Sequence, residues 1–256
     1  MNRNIRTKNF DIQNRETEVE NLLLWESHCH VQYEMISVLE GDIDIMLEGR
    51  HCRLTSGQSV IISPLCYHTI TANKKGQYRR ITVLFDLPAI PPVLQKKFCE
   101  RLCDNYAFFS VSIDELEKAC RAEDPLFYEP LIESLMVRIL YACAETGQGR
   151  TTDEIDEILQ KIIYYIDEHL CEKIRLCDIA RYAARSESSL CHMFREKMKI
   201  SVKQYILQKK LSYAAKQIQD GMPPTLAANL VGYENYSNFY RMYRKVFGAA
   251  PTGKRR

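Results

Sequence analysis

The sequence predicts an α+β chain: an N-terminal strand barrel, a helical connector, and a C-terminal all-α domain carrying two helix-turn-helix motifs. Three observations predict it. Between residues 22 and 87, apolar residues tend to alternate with polar ones and turn signals recur about every eight residues. After Pro91-Pro92 the apolar spacing becomes helical and stays so. The net charge of +2 conceals an asymmetry, since residues 173–256 hold 17 basic and 5 acidic side chains, net +12. Such a surface suits a polyanion.

Length and composition agree with two globular domains. The 256 residues are 46% hydrophobic and 27% charged, with 10 Gly and 9 Pro, which excludes a disordered or fibrous chain. No stretch approaches the roughly 18–20 apolar residues of a membrane span, and no apolar run follows the basic residues near Met1. A cytoplasmic chain without a membrane partner is expected. The ten cysteines form no CxxC pair, so zinc ribbons and redox motifs are not expected, and reduced, mostly buried thiols are.

Met35-Ile36-Ser37-Val38-Leu39 and Ile43-Asp44-Ile45-Met46-Leu47 read as strands. Glu40-Gly41-Asp42, Glu48-Gly49-Arg50 and Ser56-Gly57-Gln58 supply the turns. Each strand is expected to bury one face of a small barrel spanning residues 15–90. Residues 93–106 and 113–121 read as helices. A third, 125–146, is apolar over much of its circumference through Leu131, Leu135, Ile139 and Ala142, widened by Leu126, Ile132, Met136 and Val137. Such a helix either packs within its own domain or pairs with a second copy, and a homodimer interface is the favoured reading. Residues 91–146 form the connector. Gly147-Gln148-Gly149-Arg150-Thr151-Thr152 reads as a linker, 147–153, leading to an acidic helix start at Asp153-Glu154. Helices then follow near 155–169, 176–183, 188–198, 202–220, 226–230 and 237–247, within a domain of residues 154–256.

Two of these helices have polar, basic outer faces. At 100° per residue, Leu190, Met193, Phe194 and the stem of Lys197 fall on one side of the first, and Ser188, Ser189, His192, Arg195 and Lys199 fall opposite or beside that face. In the second, Tyr236, Phe239, Tyr243, Val246 and Phe247 point inward, and Ser237, Asn238, Arg241, Arg244 and Lys245 outward. Each follows a short Ala-containing helix and a tight connection, the layout that presents a recognition helix to the major groove of double-stranded DNA.

At these residues the chain resembles a known family. The stretch Val231-Gly232-Tyr233-Glu234-Asn235-Tyr236-Ser237-Asn238-Phe239-Tyr240-Arg241, continuing through Phe247-Gly248 to Pro251, resembles the C-terminal signature of the AraC/XylS family of bacterial transcription regulators. Asp178-Ile179-Ala180, Ser188-Ser189-Leu190 and Phe194-Arg195-Glu196 resemble its first motif. His192 stands where the family commonly has Arg, and Pro223-Pro224 and Ala227 replace branched apolar residues.

In the N-terminal half, His28-Cys29-His30, Glu34, Gly41, Gly57, Pro64 and His68 resemble the motifs of the cupin barrel, in whose metal-dependent members His, His, Glu and His ligate the ion. In AraC-type sensor barrels the same positions often serve as hydrogen-bonding walls. Three readings therefore stand: effector contacts, structural histidines, or metal ligands. The first gives an effector site of Trp25, His28, His30, Tyr33, Glu34 and His68, with no cofactor.

The resemblance implies a regulator with a cupin-like sensor, a small polar effector with sugars among the candidates, and RNA polymerase as a candidate partner. Neither a nucleophile triad, a phosphate-binding glycine loop nor a catalytic carboxylate pair occurs, so no enzyme is expected. The alternative is a metal-dependent cupin enzyme or metal sensor built on His28, His30, Glu34 and His68.

Overall fold

The computed structural model describes residues 2–20, 23–102, 105–124, 127–149 and 156–252. The chain divides into two compact units: residues 1–26 with 32–154, and residues 155–256 with the segment 27–31.

The first unit opens with β1 (Arg3–Arg6) and β2 (Phe10–Val19), followed by β3 (Leu23–His28), β4 (Tyr33–Glu40), β5 (Asp42–Leu47), β6 (Arg50–Thr55), β7 (Gln58–Ile62), β8 (His68–Ala72) and β9 (Gly76–Phe85). Then come α1 (Pro92–Arg101), β10 (Tyr106–Ser110), α2 (Asp114–Arg121) and α3 (Glu129–Thr146). The strands form a six-stranded sheet in the order β1-β2-β9-β4-β7-β10 and a four-stranded sheet β3-β8-β5-β6.

Alternation sorts the side chains of the larger sheet into two layers. Ile36, Val38, Val60 and Ile62 meet Ile43, Ile45, Leu47, Leu54 and Ile70 from the smaller sheet. Met35, Ile61, Ile81, Val83 and Phe85 point the other way and meet Phe98, Leu116, Ile132, Leu135, Met136 and Ile139 from the helices. Central strands such as β4 are thus buried on both faces, where one buried face was expected. Each such aliphatic side chain contributes about 1.5–3 kcal/mol by leaving water.

Three further expectations are corrected. Strands lie outside the alternating stretch: β1 and β2 before it, and β10, which pairs with β7, in place of the end of a helix read as 93–106. Tyr106-Ala107-Phe108-Phe109 is aromatic and suits a strand once α1 stops at Arg101. Helix α3 starts at Glu129 rather than residue 125, and its apolar face is covered within the unit, packing on α1, α2 and β10 through Ile132, Leu135, Met136, Ile139, Leu140, Cys143 and Ala144. Phe127, Leu131 and Tyr141 stay exposed. Gln148, read as linker, exchanges both backbone hydrogen bonds with Phe108. Residues 150–153, Glu154 and the side chain of Leu126 lie outside the described residues.

The β5-β6 turn has only two residues, Glu48 (φ 48°) and Gly49 (φ 80°). Both lie in the left-handed region, as this hairpin type requires. Glu48 is held there because its buried carboxylate accepts from the Tyr67 N–H at 2.8 Å. None of the nine described cysteines forms a disulfide, and burial pushes the Cys120 and Cys143 thiols up to about 12.

The second unit is helical: α4 (Glu157–Glu168), α5 (Leu176–Tyr182), α6 (Glu187–Met198), α7 (Val202–Gln219), α8 (Pro224–Leu230) and α9 (Tyr236–Phe247). Side-chain caps set the starts of α4, α6, α7 and α9. Asp156, Ser186 and Asn235 accept from backbone N–H groups, and Ser201 with Gln204 forms a reciprocal capping box. Pro224 sits in the first turn of α8, where its missing N–H leaves no hydrogen bond unmade, so the Pro223-Pro224 departure fits a helix start.

The two helix-turn-helix motifs share one turn. Arg185 N–H donates to Ala180 O at 2.9 Å in the first, and Tyr233 N–H to Ala228 O at 3.0 Å in the second. The residue before each donor is left-handed: Ala184 (φ 51°) and Gly232 (φ 84°). A side chain in that region costs about 1–2 kcal/mol, offset in part by the extra unfolded-state freedom of glycine, about 0.4–1 kcal/mol. Ala184→Gly is therefore expected to stabilise the helical unit by about 0.5–1 kcal/mol, read as a shift of the urea midpoint at unchanged slope. A loss of stability would contradict this assignment of strain.

Candidate nucleic-acid interface and histidine cluster

The first motif packs α6 on α5 and α7. Ala180 and Ala183 are buried, small enough for close approach, and Leu190, Phe194 and Met198 form the buried side of α6. Met198, at i+8 from Leu190, takes the place expected for the stem of Lys197, which is exposed. Ser188, Ser189, His192, Arg195 and Lys199 are all exposed. Lys199 stands just past the helix as a left-handed cap (φ 60°). His192 Nδ1 lies 3.9 Å from a Glu196 carboxylate oxygen on the open surface.

In the second motif Phe239 and Tyr243 anchor α9 against Leu211, Ala214, Ala215, Ile218, Ala227, Ala228 and Val231. Met242 and Phe247 are half-buried. Tyr236 and Val246, expected inside, are each more than a third exposed because they flank the contact stripe rather than centre it. Ser237, Asn238, Arg241, Arg244 and Lys245 are exposed. Arg241 Nη2 donates to Asn238 Oδ1 at 3.0 Å, and the Arg244 guanidinium lies 6.0 Å from the Tyr240 ring centre.

One helix carries both motifs. The N-terminal part of α7 meets the first, with Tyr205 edge-on to Phe194 at 5.3 Å between centroids, and its C-terminal part meets the second. Its 18 residues span about 27 Å at 1.5 Å per residue. Two cations fix its surroundings. Lys209, almost fully buried, pairs with Asp167 at 2.9 Å, and Lys210 donates to the Glu172 and Val231 carbonyls at 2.6 and 2.9 Å. Burial lowers the pKa of Lys210.

The sequence-predicted histidines divide between the units, His28 and His30 in the segment grouped with the second and His68 in the first. His28 ends β3, and His68 begins β8, the neighbouring strand of the same sheet. His30 lies in the connection to β4 rather than on the strand, so a turn, not the strand period, brings it beside His28, with ring centroids 5.8 Å apart. Glu34 near the start of β4 places Oε2 3.0 Å from His68 Nε2. Burial disfavours charge on the wholly buried His68, but the hydrogen bond and charge of Glu34, with the Cys66 carbonyl, outweigh it and raise its pKa.

Tyr33 does not join them. Adjacent to Glu34 on β4, it points to the opposite face, stacked on Phe85 at 5.4 Å and edge-on to Phe98 at 5.6 Å in the layer beneath the helices. The Trp25 side chain lies outside the described residues. Sequence reasoning missed Arg80, which is buried on β9, donates from Nε to Thr82 Oγ1 at 2.9 Å, and lies 5.6 Å from the Tyr78 ring centre. Burial lowers its pKa, opposed by Tyr78 and Glu34. Its signal was the Tyr78, Arg80, Thr82 alternation, masked by the adjacent Arg79.

The family profile described as a helix-turn-helix domain matches residues 179–256, and that described as an AraC-like ligand binding domain matches residues 22–108. The chain thus carries an AraC-like ligand-binding domain and a helix-turn-helix domain. It is 22% identical over 251 residues to the probable transcriptional regulator LumQ of Photobacterium leiognathi, covering 95% of the chain and 97% of LumQ. It is 27% identical over 124 residues to the arabinose operon regulatory protein of Escherichia coli (strain K12), covering 48% of the chain and 41% of that protein. ToxT from Vibrio cholerae O395 is similar in structure, with a TM-score of 0.43 and 11% identity over 96% of both chains. The chain is a DNA-binding transcription regulator with an N-terminal ligand-binding domain, and the relatives it matches are named as transcription regulators. Among the described residues, no helix is long and apolar enough to cross a membrane.

Proposed function

We propose that each chain docks α6 and α9 in successive major grooves of one operator, and that effector binding in the barrel alters which sites a homodimer spans. The observation that carries this reading is the repeated motif on a common spine. Two exposed polar and basic faces are held on one 18-residue helix, whose length of about 27 Å with a helix width at each end approaches the roughly 34 Å between major grooves on one side of the duplex.

Ser188, Ser189, His192, Arg195 and Lys199 contact the first segment, and Ser237, Asn238, Arg241, Arg244 and Lys245 the second. His28, His30, Glu34 and His68 line the effector site, where their donors and acceptors suit a small polar molecule such as a sugar. Exposed Leu131 and Tyr141 on α3, with Phe127 just before it, give a residual apolar surface for a second copy. In this reading the two sheets hold the sensor, residues 91–146 the connector and residues 154–256 the DNA-binding domain. The protein acts in the cytoplasm, without catalysis, beside RNA polymerase. Selection of binding sites from random duplexes by the full chain tests this. Enrichment of two base-specific segments about one helical turn apart is expected, and failure to enrich any sequence would remove the reading.

A further inference from the structure

The chain leaving α3 is fastened to the edge of the larger sheet. Phe108 N–H donates to Gln148 O at 2.8 Å and Gln148 N–H to Phe108 O at 2.9 Å, a single antiparallel bridge on β10, the last strand of that sheet. Three features bring Gln148 there. Arg101 of α1 donates from Nε to Ala144 O and from Nη2 to Glu145 O, each at 3.0 Å, and so satisfies carbonyls that the end of α3 leaves over. Gly147 N–H closes the turn on Cys143 O at 2.8 Å. Gly147 itself is buried where no side chain fits, since a Cβ would lie 2.5 Å from Cys143 O and 3.2 Å from the Ala107 Cβ. Its φ of −57° is ordinary, so close approach to β10 is what requires glycine. The strand that holds Gln148 also reaches the core between the sheets. Along β10, Ala107 and Phe109 face the helices, whereas Tyr106 and Phe108 face the inter-sheet core with their rings edge-on 5.6 Å apart. The matched ligand-binding domain ends on this strand, at residue 108. Phe108 therefore presents its ring to the interior and its backbone to the chain that runs on toward α4.

We propose that the bridge between Phe108 and Gln148 is a backbone latch, positioned by Gly147 and Arg101, that couples packing between the two sheets to the length of chain joining α3 to α4. Closed, it pins the chain at Gln148. Open, it releases residues 147–149 and lengthens the tether by about 10 Å at about 3.3–3.6 Å per residue. Two backbone hydrogen bonds at a sheet edge open locally at far less cost than the sheet unfolds, so the latch works within a folded unit. Its effect on DNA binding rests on the regulator reading; the latch itself does not.

Amide hydrogen exchange of the full chain, resolved to single residues, tests the latch. Although Gln148 is exposed, its N–H in the wild type should exchange at least about 10-fold more slowly than in an unstructured chain. Gly147→Ala, which forces the chain off β10, should remove that protection. Phe108→Leu, altered only between the sheets, should reduce it by about 3-fold or more. Gln148→Pro deletes the donor N–H and should speed exchange of the Phe108 N–H, which keeps the test decisive if Gly147→Ala misfolds. An unprotected Gln148 in the wild type, or protection unchanged by Phe108→Leu, overturns the proposal. The same proteins are then bound to duplexes carrying two selected sites at graded separations. The wild type should favour one separation, and Gln148→Pro should flatten that preference by about 3-fold or more with single-site affinity unchanged. A preference equally sharp in Gln148→Pro overturns the coupling, whereas protected Gln148 in a wild type that binds no duplex removes the regulator reading alone.

Discussion

Raising monovalent salt from about 50 to about 200 mM is expected to weaken binding to a selected duplex site by about 10^3–10^4-fold. The reasoning starts from residues 173–256, whose 17 basic and 5 acidic side chains leave a net charge of +12. If each chain neutralises about six to eight phosphates, counterion release gives log K a slope of about −5 to −7 against log salt. Arg195, Lys199, Arg244 and Lys245 are exposed on or beside the two outer faces, and Arg175, Arg181, Lys197 and Lys203 add to the surface. Fluorescence anisotropy across a salt series measures the slope. A slope between 0 and about −2 would mean that few of these cations reach the backbone, and docking through both faces would be wrong.

The second large effect is expected from Phe239→Ala. Phe239 is wholly buried, with Tyr233, Tyr236 and Tyr243 around it at 5.5–5.9 Å between ring centroids, and it packs on α7 and α8. Truncation removes the ring and leaves a cavity, for a cost of about 3–5 kcal/mol. That is a large share of the roughly 5–15 kcal/mol by which a domain is stable. The second motif should melt first and the duplex affinity should fall with it. Urea unfolding of the helical domain followed by circular dichroism reads the loss, and Tyr240→Ala, at a partly exposed neighbour, should cost under about 1 kcal/mol. A Phe239→Ala cost equally small would place Phe239 outside the core.

Legibility followed the strength of local physics. The helices of the second unit were readable to within about two residues at most ends, because α4, α6, α7 and α9 combine an apolar stripe with an Asp, Ser or Asn cap, as at Ser186 and Asn235. Strands β4 to β6 were readable from alternation and from Gly41 and Gly49. Strands β1 and β2 were not, since only Ile5, Phe10, Ile12 and Val19 mark them among polar residues, and the partner of β2, β9, is more than 50 residues away. Burial of both faces of β4 was equally hidden, because it depends on helices that return over the sheet. At the candidate site, His28, His30, Glu34 and His68 could be picked out by residue type. The opposite orientation of Tyr33 followed from its neighbour Glu34 once β4 was placed. Arg80 was hard to find because the adjacent half-buried Arg79 masks the Tyr78, Arg80, Thr82 alternation.

The most direct test of two-groove reading compares base preferences of wild type, Arg241→Ala and His192→Ala on the selected site, by affinity for every single-base variant. Arg241 is at the centre of the outer face of α9, where its fork can take a guanine edge by two hydrogen bonds. Its loss should cost about 1–3 kcal/mol and flatten preference in one segment. His192 holds the corresponding place on α6 but offers a single hydrogen bond. Its loss should flatten preference less, in a second segment about one helical turn away. If both substitutions erase preference at the same bases, or only one segment carries preference in the wild type, the two recognition helices do not dock side by side on one duplex.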